Sequence, residues 1–271
     1  MSGTLILAST TSYDAVPTIL YVILLVSGGL IIGSFLNVCI YRLPRRQSLI
    51  TPQSHCTACG HHLKWFENVP VIGYTLLGGR CRMCGESISA IYPLVEVITS
   101  ALFLLSYWQI GWQPLLLSRL IFMGAMVVLF VIDLQHRILP NEITLPGAVV
   151  GIVFSMFLPP VWFDSVVGVV GGWTLLLLIR KVYYLVRGEE GLGVGDVKML
   201  AMIGAFLGFD LMLLTLFLAS FIGSLVGISL MITKKGNIRD ALPFGTFLAV
   251  GGVTSGLIGE SVLGWYWSFY F

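Results

Sequence analysis

TILYVILLVSGGLIIGSFLNVCIY, residues 18 to 41, decides the fold class. It contains no charged residue, and it is long enough to cross a bilayer as a helix, which takes about 20 apolar residues. Further apolar runs follow at 91–109, 114–133, 143–159, 163–186, 197–209, 210–232 and 243–268, so the sequence predicts an all-α polytopic membrane protein with about eight transmembrane helices. Only Gly208, Phe209 and Asp210 mark the join between the sixth and seventh runs, and seven spans is the competing count. Composition points the same way. Of 271 residues, 57% are hydrophobic and 10% are charged, against roughly 25% charged in a soluble domain. Mean hydropathy is +0.94. A water-soluble enzyme is excluded, and so is disorder, which requires low hydrophobicity. A net charge of +2 gives nucleic-acid binding little electrostatic support. The segment 1–17, MSGTLILASTTSYDAVP, carries no basic residue, so a cleaved signal peptide is not expected there.

Lysine and arginine set the orientation. With eight spans, every basic residue except Arg119 falls on one side, from Arg42, Arg45 and Arg46 through Arg137 to Lys234, Lys235 and Arg239. That side is expected to be cytoplasmic, with both termini on the other. Small residues within the runs, among them Gly168, Gly171, Gly172, Gly204, Gly223 and Gly227, allow helices to approach closely. No internal repeat stands out.

The polar loop 42–90 contains Cys56-Thr57-Ala58-Cys59 and Cys81-Arg82-Met83-Cys84, with 21 residues between the two pairs. Two such knuckles supply four thiolates to one tetrahedral ion, so a structural zinc site is expected. Cytosolic placement disfavours disulfides. The alternative is a pair of free or redox-active dithiols. His55, His61 and His62 are expected in solvent, because four thiolates already complete the shell. Cys39, inside the first span, reads as a small apolar filler. A long loop with few large apolar groups folds poorly without such a staple.

Two acids stand at membrane edges: Asp133 in VLFVIDLQHRILPNEITLP and Asp196 in GLGVGDVKML, 63 positions apart. An aspartate within a membrane helix costs on the order of 3 kcal/mol and needs a reason. Both fall on the basic side at similar depth. Paired carboxylates share a proton and titrate as a unit, so one can act as base on water while the other polarises a peptide carbonyl. Gly191, Gly193 and Gly195 remove side chains just before Asp196, which lets a substrate backbone approach. The competing readings are boundary acids solvated by headgroup water, or Asp196 as a helix cap or partner of Lys198. Glu142 is the nearest substitute for Asp133, although it also fits a helix start. Position alone leaves these readings even.

Taken together, these stretches resemble the type IV prepilin peptidase family, the bifunctional prepilin leader peptidase/N-methyltransferases. The resemblance runs from about Gly33 to Ala249 in five ordered motifs: GSFLNVCIYRLPRR (33–46), the cysteine segment 56–96, Asp133 with the following LPNEITLP, GVGDVKMLAMIGAFLG (193–208) and LPFGTFLA (242–249). It implies an inner-membrane aspartic protease of the GxGD type that removes the basic leader of type IV prepilins or type II secretion pseudopilins. Cleavage falls on the cytoplasmic side, typically after a glycine and before a phenylalanine. Members with the cysteine domain then methylate the new N-terminal amine from S-adenosylmethionine. By this resemblance Asp133 and Asp196 are the catalytic pair, and Cys56, Cys59, Cys81 and Cys84 hold zinc. Residues 42–90 form the zinc domain with the methyltransferase part, and 91–271 a seven-helix peptidase domain.

The sequence departs from the family at Asn141, where an acid is frequent, and at Thr246, where proline is common and a change in backbone stiffness is expected. Gly33, Asn37 and Glu67 lie in the transferase half and are candidates for the methyl-donor site. Helix packing, helix–helix bonding and a solvated loop acid are their respective alternatives. No glycine-rich nucleotide-binding turn is present. Rival readings are a GxGD protease without transferase activity, which the four cysteines oppose, and a non-enzymatic transporter or assembly factor. A transporter favours midplane acids and repeat symmetry, neither of which is seen.

Overall fold

A computed structural model describes residues 15–189, 191–233 and 243–269. Most of the 1–17 segment, Glu190, Lys234, Lys235, Arg239, Asp240 and Leu242 lie outside the described residues. The elements are α1 (Ala15–Arg42), α2 (Ile72–Leu76), α3 (Ile91–Ile110), α4 (Pro114–His136), α5 (Asn141–Ser155), α6 (Trp162–Arg187), α7 (Val194–Leu207), α8 (Phe209–Ile232) and α9 (Phe244–Trp267). No strand occurs among the described residues; two isolated antiparallel bridges lie in the cysteine loop.

Local chemistry sets the boundaries. Pro114 opens α4, where its missing N–H costs nothing. Gly188, at φ 71°, closes α6. Gly208, at φ 81°, separates α7 from α8, so the join between the sixth and seventh apolar runs is a true helix boundary. Asp164 of α6 accepts the Phe209 N–H at 3.1 Å and caps the start of α8.

A helix stands at each of the eight apolar runs, but length divides them. Six are long and apolar enough to cross a membrane: α1, α3, α4, α6, α8 and α9. α5 has 15 residues and α7 has 14; at about 1.5 Å per residue each falls short of the roughly 30 Å hydrocarbon core. α7 compensates by having almost no outer face. Every residue from Met199 to Gly208 is buried within the protein. α5, α6, α8 and α9 surround it. Gly168 of α6 and Gly204 of α7 face each other, and a β-carbon on Gly168 would come within 2.6 Å of the Gly204 carbonyl oxygen. Only glycine permits that approach.

α4 is the second enclosed helix. Phe122, Met123, Met126, Leu129 and Ile132 are fully buried and join Met199, Leu200 and Ile203 of α7 in one core. α1 lies against α3, with Gly33 pressed on the Glu96 backbone. The outer faces carry exposed Ile23, Ile31 and Phe35 on α1 and Phe217, Phe221 and Ile228 on α8. So large an apolar surface suits lipid, not water.

Candidate functional site

The two aspartates belong to the two most enclosed helices. Asp133 lies in the last turn of α4 and Asp196 in the first turn of α7. They are 5% and 8% exposed, which excludes ordinary solvated boundary acids. Asp133 is near enough for its charge to act on Asp196. Leu139 lies between their supports: its side chain fills the space a β-carbon would take at both Gly195 and Gly245.

Each carboxylate is held through one oxygen at the start of a helix, where backbone N–H groups lack intrahelical acceptors. Asp133 Oδ2 accepts the Thr246 N–H at 2.6 Å and the Thr246 hydroxyl at 2.9 Å. Asp196 Oδ2 accepts the Gly193 N–H at 3.2 Å. Among the described residues, no donor meets Oδ1 of either. Asp196 is therefore tied to the turn before its own helix, and Lys198 is not its partner: the ammonium donates to Asn141 Oδ1 at 2.7 Å, joining α7 to α5. Glu142 is exposed in the first turn of α5 and does not replace Asp133.

Thr246, expected from the sequence to affect only backbone stiffness, is the double donor to Asp133. The available signal was Pro243, which as N-cap puts Thr246 three residues into α9, where its amide is unpaired. Gly245 also went unremarked. A β-carbon there would come 2.9 Å from Asp133 Oδ2. Of the glycines before Asp196, Gly193 lies over that residue's own carboxylate, Gly195 packs on Leu139 and Gly191 lies beneath the Tyr183 ring.

The four loop cysteines come together. Their sulfurs lie within 4.8 Å of one another and can hold a metal ion. Cys56 Sγ is 3.8 Å from Cys84 Sγ, and Cys59 Sγ is 3.9 Å from Cys81 Sγ. A four-thiolate tetrahedron with metal–sulfur bonds of about 2.3 Å has edges of about 3.8 Å, so the donor set fits. Disulfides, at about 2.05 Å, do not fit. The two knuckles, CTACG and CRMCG, are built alike. Cys56 and Cys81 each accept the N–H of a glycine four residues on, Gly60 and Gly85, both at φ 73°. Amides of Cys84 and Met83 pull the Cys81 thiol down to about 6, whereas burial and the neighbouring sulfurs push Cys84 up to about 12, so the crowded thiols titrate as one set. The repeated C-x-x-C-G was the legible sign of this duplication. Cys39 is buried among apolar side chains, as its filler role requires.

Beside the cysteines, a cavity of about 370 Å³ opens between the loop, the end of α1 and the start of α3. Asn37 and Glu67 line it; Gly33 does not, but it lets α1 approach Glu96, which does. Asn37 Nδ2 donates to the Tyr92 carbonyl at 2.9 Å, a helix–helix bond. Glu67 is buried, not a solvated loop acid. The expectation of a solvated His61 is also corrected: its Nε2 is enclosed 3.4 Å from Glu67 Oε2, because the first knuckle folds the ring inward. Val71, a β-branched residue at φ 60°, is held by donating its N–H to Glu96 Oε2 at 2.7 Å. That conformation is costly and must be fixed by its surroundings.

Together these features define an all-α membrane protein with a buried acid pair and a four-cysteine cluster that could hold a metal ion. Two family models match it: the bacterial peptidase A24 N-terminal domain over residues 28–110, and the type IV leader peptidase family over residues 120–228. A prepilin leader peptidase/N-methyltransferase of Pseudomonas putida is 37% identical over 259 residues, covering 86% of this chain and 89% of the relative. One from Aeromonas salmonicida is 35% identical over 279 residues, covering 92% and 94%. One from Myxococcus xanthus is 40% identical over 214 residues, covering 79% and 64%. The chain belongs to the prepilin leader peptidase/N-methyltransferase family. No solved structure matches it.

Proposed function

We propose that this protein cleaves the leader peptide from type IV prepilins or pseudopilins and then N-methylates the new N-terminal residue. The observation that carries the proteolytic half is the acid pair: two buried carboxylates within electrostatic reach, each tied by Oδ2 to a helix start. Asp133 and Asp196 are the catalytic residues of this reading. One carboxylate takes a proton from water as the water oxygen attacks the scissile carbonyl. The other, protonated, donates to the carbonyl oxygen. Gly193 keeps the loop side of Asp196 uncovered for a substrate backbone, whereas Gly195 serves packing against Leu139.

In this reading the chain sits in the bacterial inner membrane with the cysteine loop and both aspartates at the cytoplasmic face. With all eight helices counted as crossings, the segregation of lysine and arginine supports that orientation. Cys56, Cys59, Cys81 and Cys84 would hold a zinc ion, which supplies a structural cross-link. The methyl donor is S-adenosylmethionine, and Gly33, Asn37 and Glu67 belong to the part of the chain that serves it.

The test is cleavage of a purified prepilin in lipid, followed by intact mass, with and without S-adenosylmethionine. The wild type is expected to remove the leader and, with the donor, to add one methyl group. Asp133→Asn and Asp196→Asn are expected to leave the leader in place; full cleavage by either variant sinks the pair.

A further inference from the structure

The Glu67 side chain is 1% exposed, yet only half of its carboxylate is satisfied. Oε2 accepts the Lys64 N–H at 2.8 Å and lies near His61. Oε1 is buried and has no hydrogen-bond partner. Its nearest cation, Arg82, is at 4.0 Å, and that side chain is 56% exposed. The Lys64 amide, with His61 beside it, holds the carboxyl below the usual range, so the group is an anion. A buried anion with an open oxygen is costly unless a cation meets it.

Among the described residues, the other basic groups of the cavity wall are Arg42, His55 and His61, and none bonds Oε1: His55 Nδ1 lies 3.0 Å from the Gln53 carbonyl, and His61 stands at Oε2. Arg42 spends its guanidinium on the Ser48 and Pro52 carbonyls. Glu96 brings a second buried carboxyl to the same wall. Tyr41, Tyr74 and Tyr92 also line it, and aromatic faces attract cations. The volume of about 370 Å³ lies within the range of small-molecule sites.

We infer that this cavity is where the methyl group changes hands, and that Glu67 Oε1 holds the cationic centre of a reactant. The inference rests on the proposed transferase activity, which involves two cations: the sulfonium of the donor and the N-terminal ammonium of the cleaved pilin. The ammonium first loses a proton to water. The amine lone pair then forms the N–C bond to the methyl group as the C–S bond breaks. The electron pair of that bond returns to sulfur, and a neutral thioether leaves.

The test uses the full-length protein in lipid, as wild type, Glu67→Gln and Arg82→Gln. Glutamine keeps an acceptor for the Lys64 amide and removes the charge. Three quantities are read: prepilin cleavage, methylation of a pre-cleaved pilin, and binding of S-adenosylmethionine and S-adenosylhomocysteine by calorimetry. Glu67→Gln is expected to cleave within about twofold of wild type and to lose about tenfold or more in methylation. Loss of affinity for S-adenosylmethionine but not for S-adenosylhomocysteine assigns the sulfonium to Glu67. Unchanged donor affinity with a raised KM for the pilin assigns the ammonium. Arg82→Gln, which opens the carboxylate further, is expected to keep donor affinity and methylation.

Equal methylation by wild type and Glu67→Gln overturns the inference alone. So does an equal loss in Glu67→Gln and Arg82→Gln, which marks a structural bridge. A wild type that cleaves but never methylates overturns the transferase reading, and the inference with it.

Discussion

Asp133 and Asp196 lie on helices enclosed by other helices, whereas Glu67 lies in a loop that has no apolar core of its own. Both regions bury acidic side chains in fixed positions, by opposite means. Around the aspartates, Met126, Leu129, Met199 and Leu200 form a continuous core, and helix starts supply the donors. Around Glu67, order comes from turns: two C-x-x-C-G knuckles meet at four sulfurs, and Val71 is pinned to α3 by Glu96. Lipid and packing stabilise the first region; the second relies on turns and on a cysteine cluster that could hold a metal ion. The two should therefore fail independently.

The largest effect tests whether one region can lose its chemistry without disturbing the other. Asp133→Asn or Asp196→Asn is expected to reduce leader cleavage by about 10³-fold or more, while methylation of a pre-cleaved pilin continues. Parallel assays on one preparation check it, and joint loss of both activities breaks the comparison. Removal of the metal probes the reverse case. Chelation, or Cys56→Ser, is expected to abolish methylation and to leave cleavage within a few-fold, read by metal analysis beside both assays.

Packing provides a smaller handle. Gly204→Leu forces side-chain atoms into the Gly168 backbone and is expected to cost about 1–3 kcal/mol. A lowered melting temperature in detergent, with reduced cleavage and retained metal, would show that the bundle alone is damaged. Thr246→Val makes the finest distinction. It removes the hydroxyl donor to Asp133 and leaves the amide donor in place. Loss of about 1 kcal/mol is expected to lower kcat several-fold with KM little changed, and Thr246→Ser should restore it. A change in KM alone would remove Thr246 from the aspartate's support.

Much of this was legible in the chain. Every apolar run became a helix, because burying a predominantly apolar run in lipid or protein leaves its backbone no other way to satisfy its polar groups. The two C-x-x-C pairs announced the cysteine cluster, since their spacing is local. Three features were less accessible. The shortness of α5 and α7 was hidden, because an apolar run reads alike whether it faces lipid or protein. The support that Thr246 gives Asp133 is not legible locally, because the two are 113 residues apart. His61 was expected in solvent, because nothing in the local sequence tells that the first knuckle turns the ring toward Glu67.

The sequence by itself determined the class of protein and the positions of its helices, and it singled out Asp133, Asp196 and the four loop cysteines. These depend on composition, periodicity and short spacings, which act within a few turns of chain. The tertiary structure alone decided that α4 and α7 form the enclosed centre, that the start of α9 supports Asp133, and that a cavity meets Glu67 where α1, α3 and the loop converge. Those outcomes require segments far apart in the chain to pack against one another, and close packing depends on the shapes that meet there.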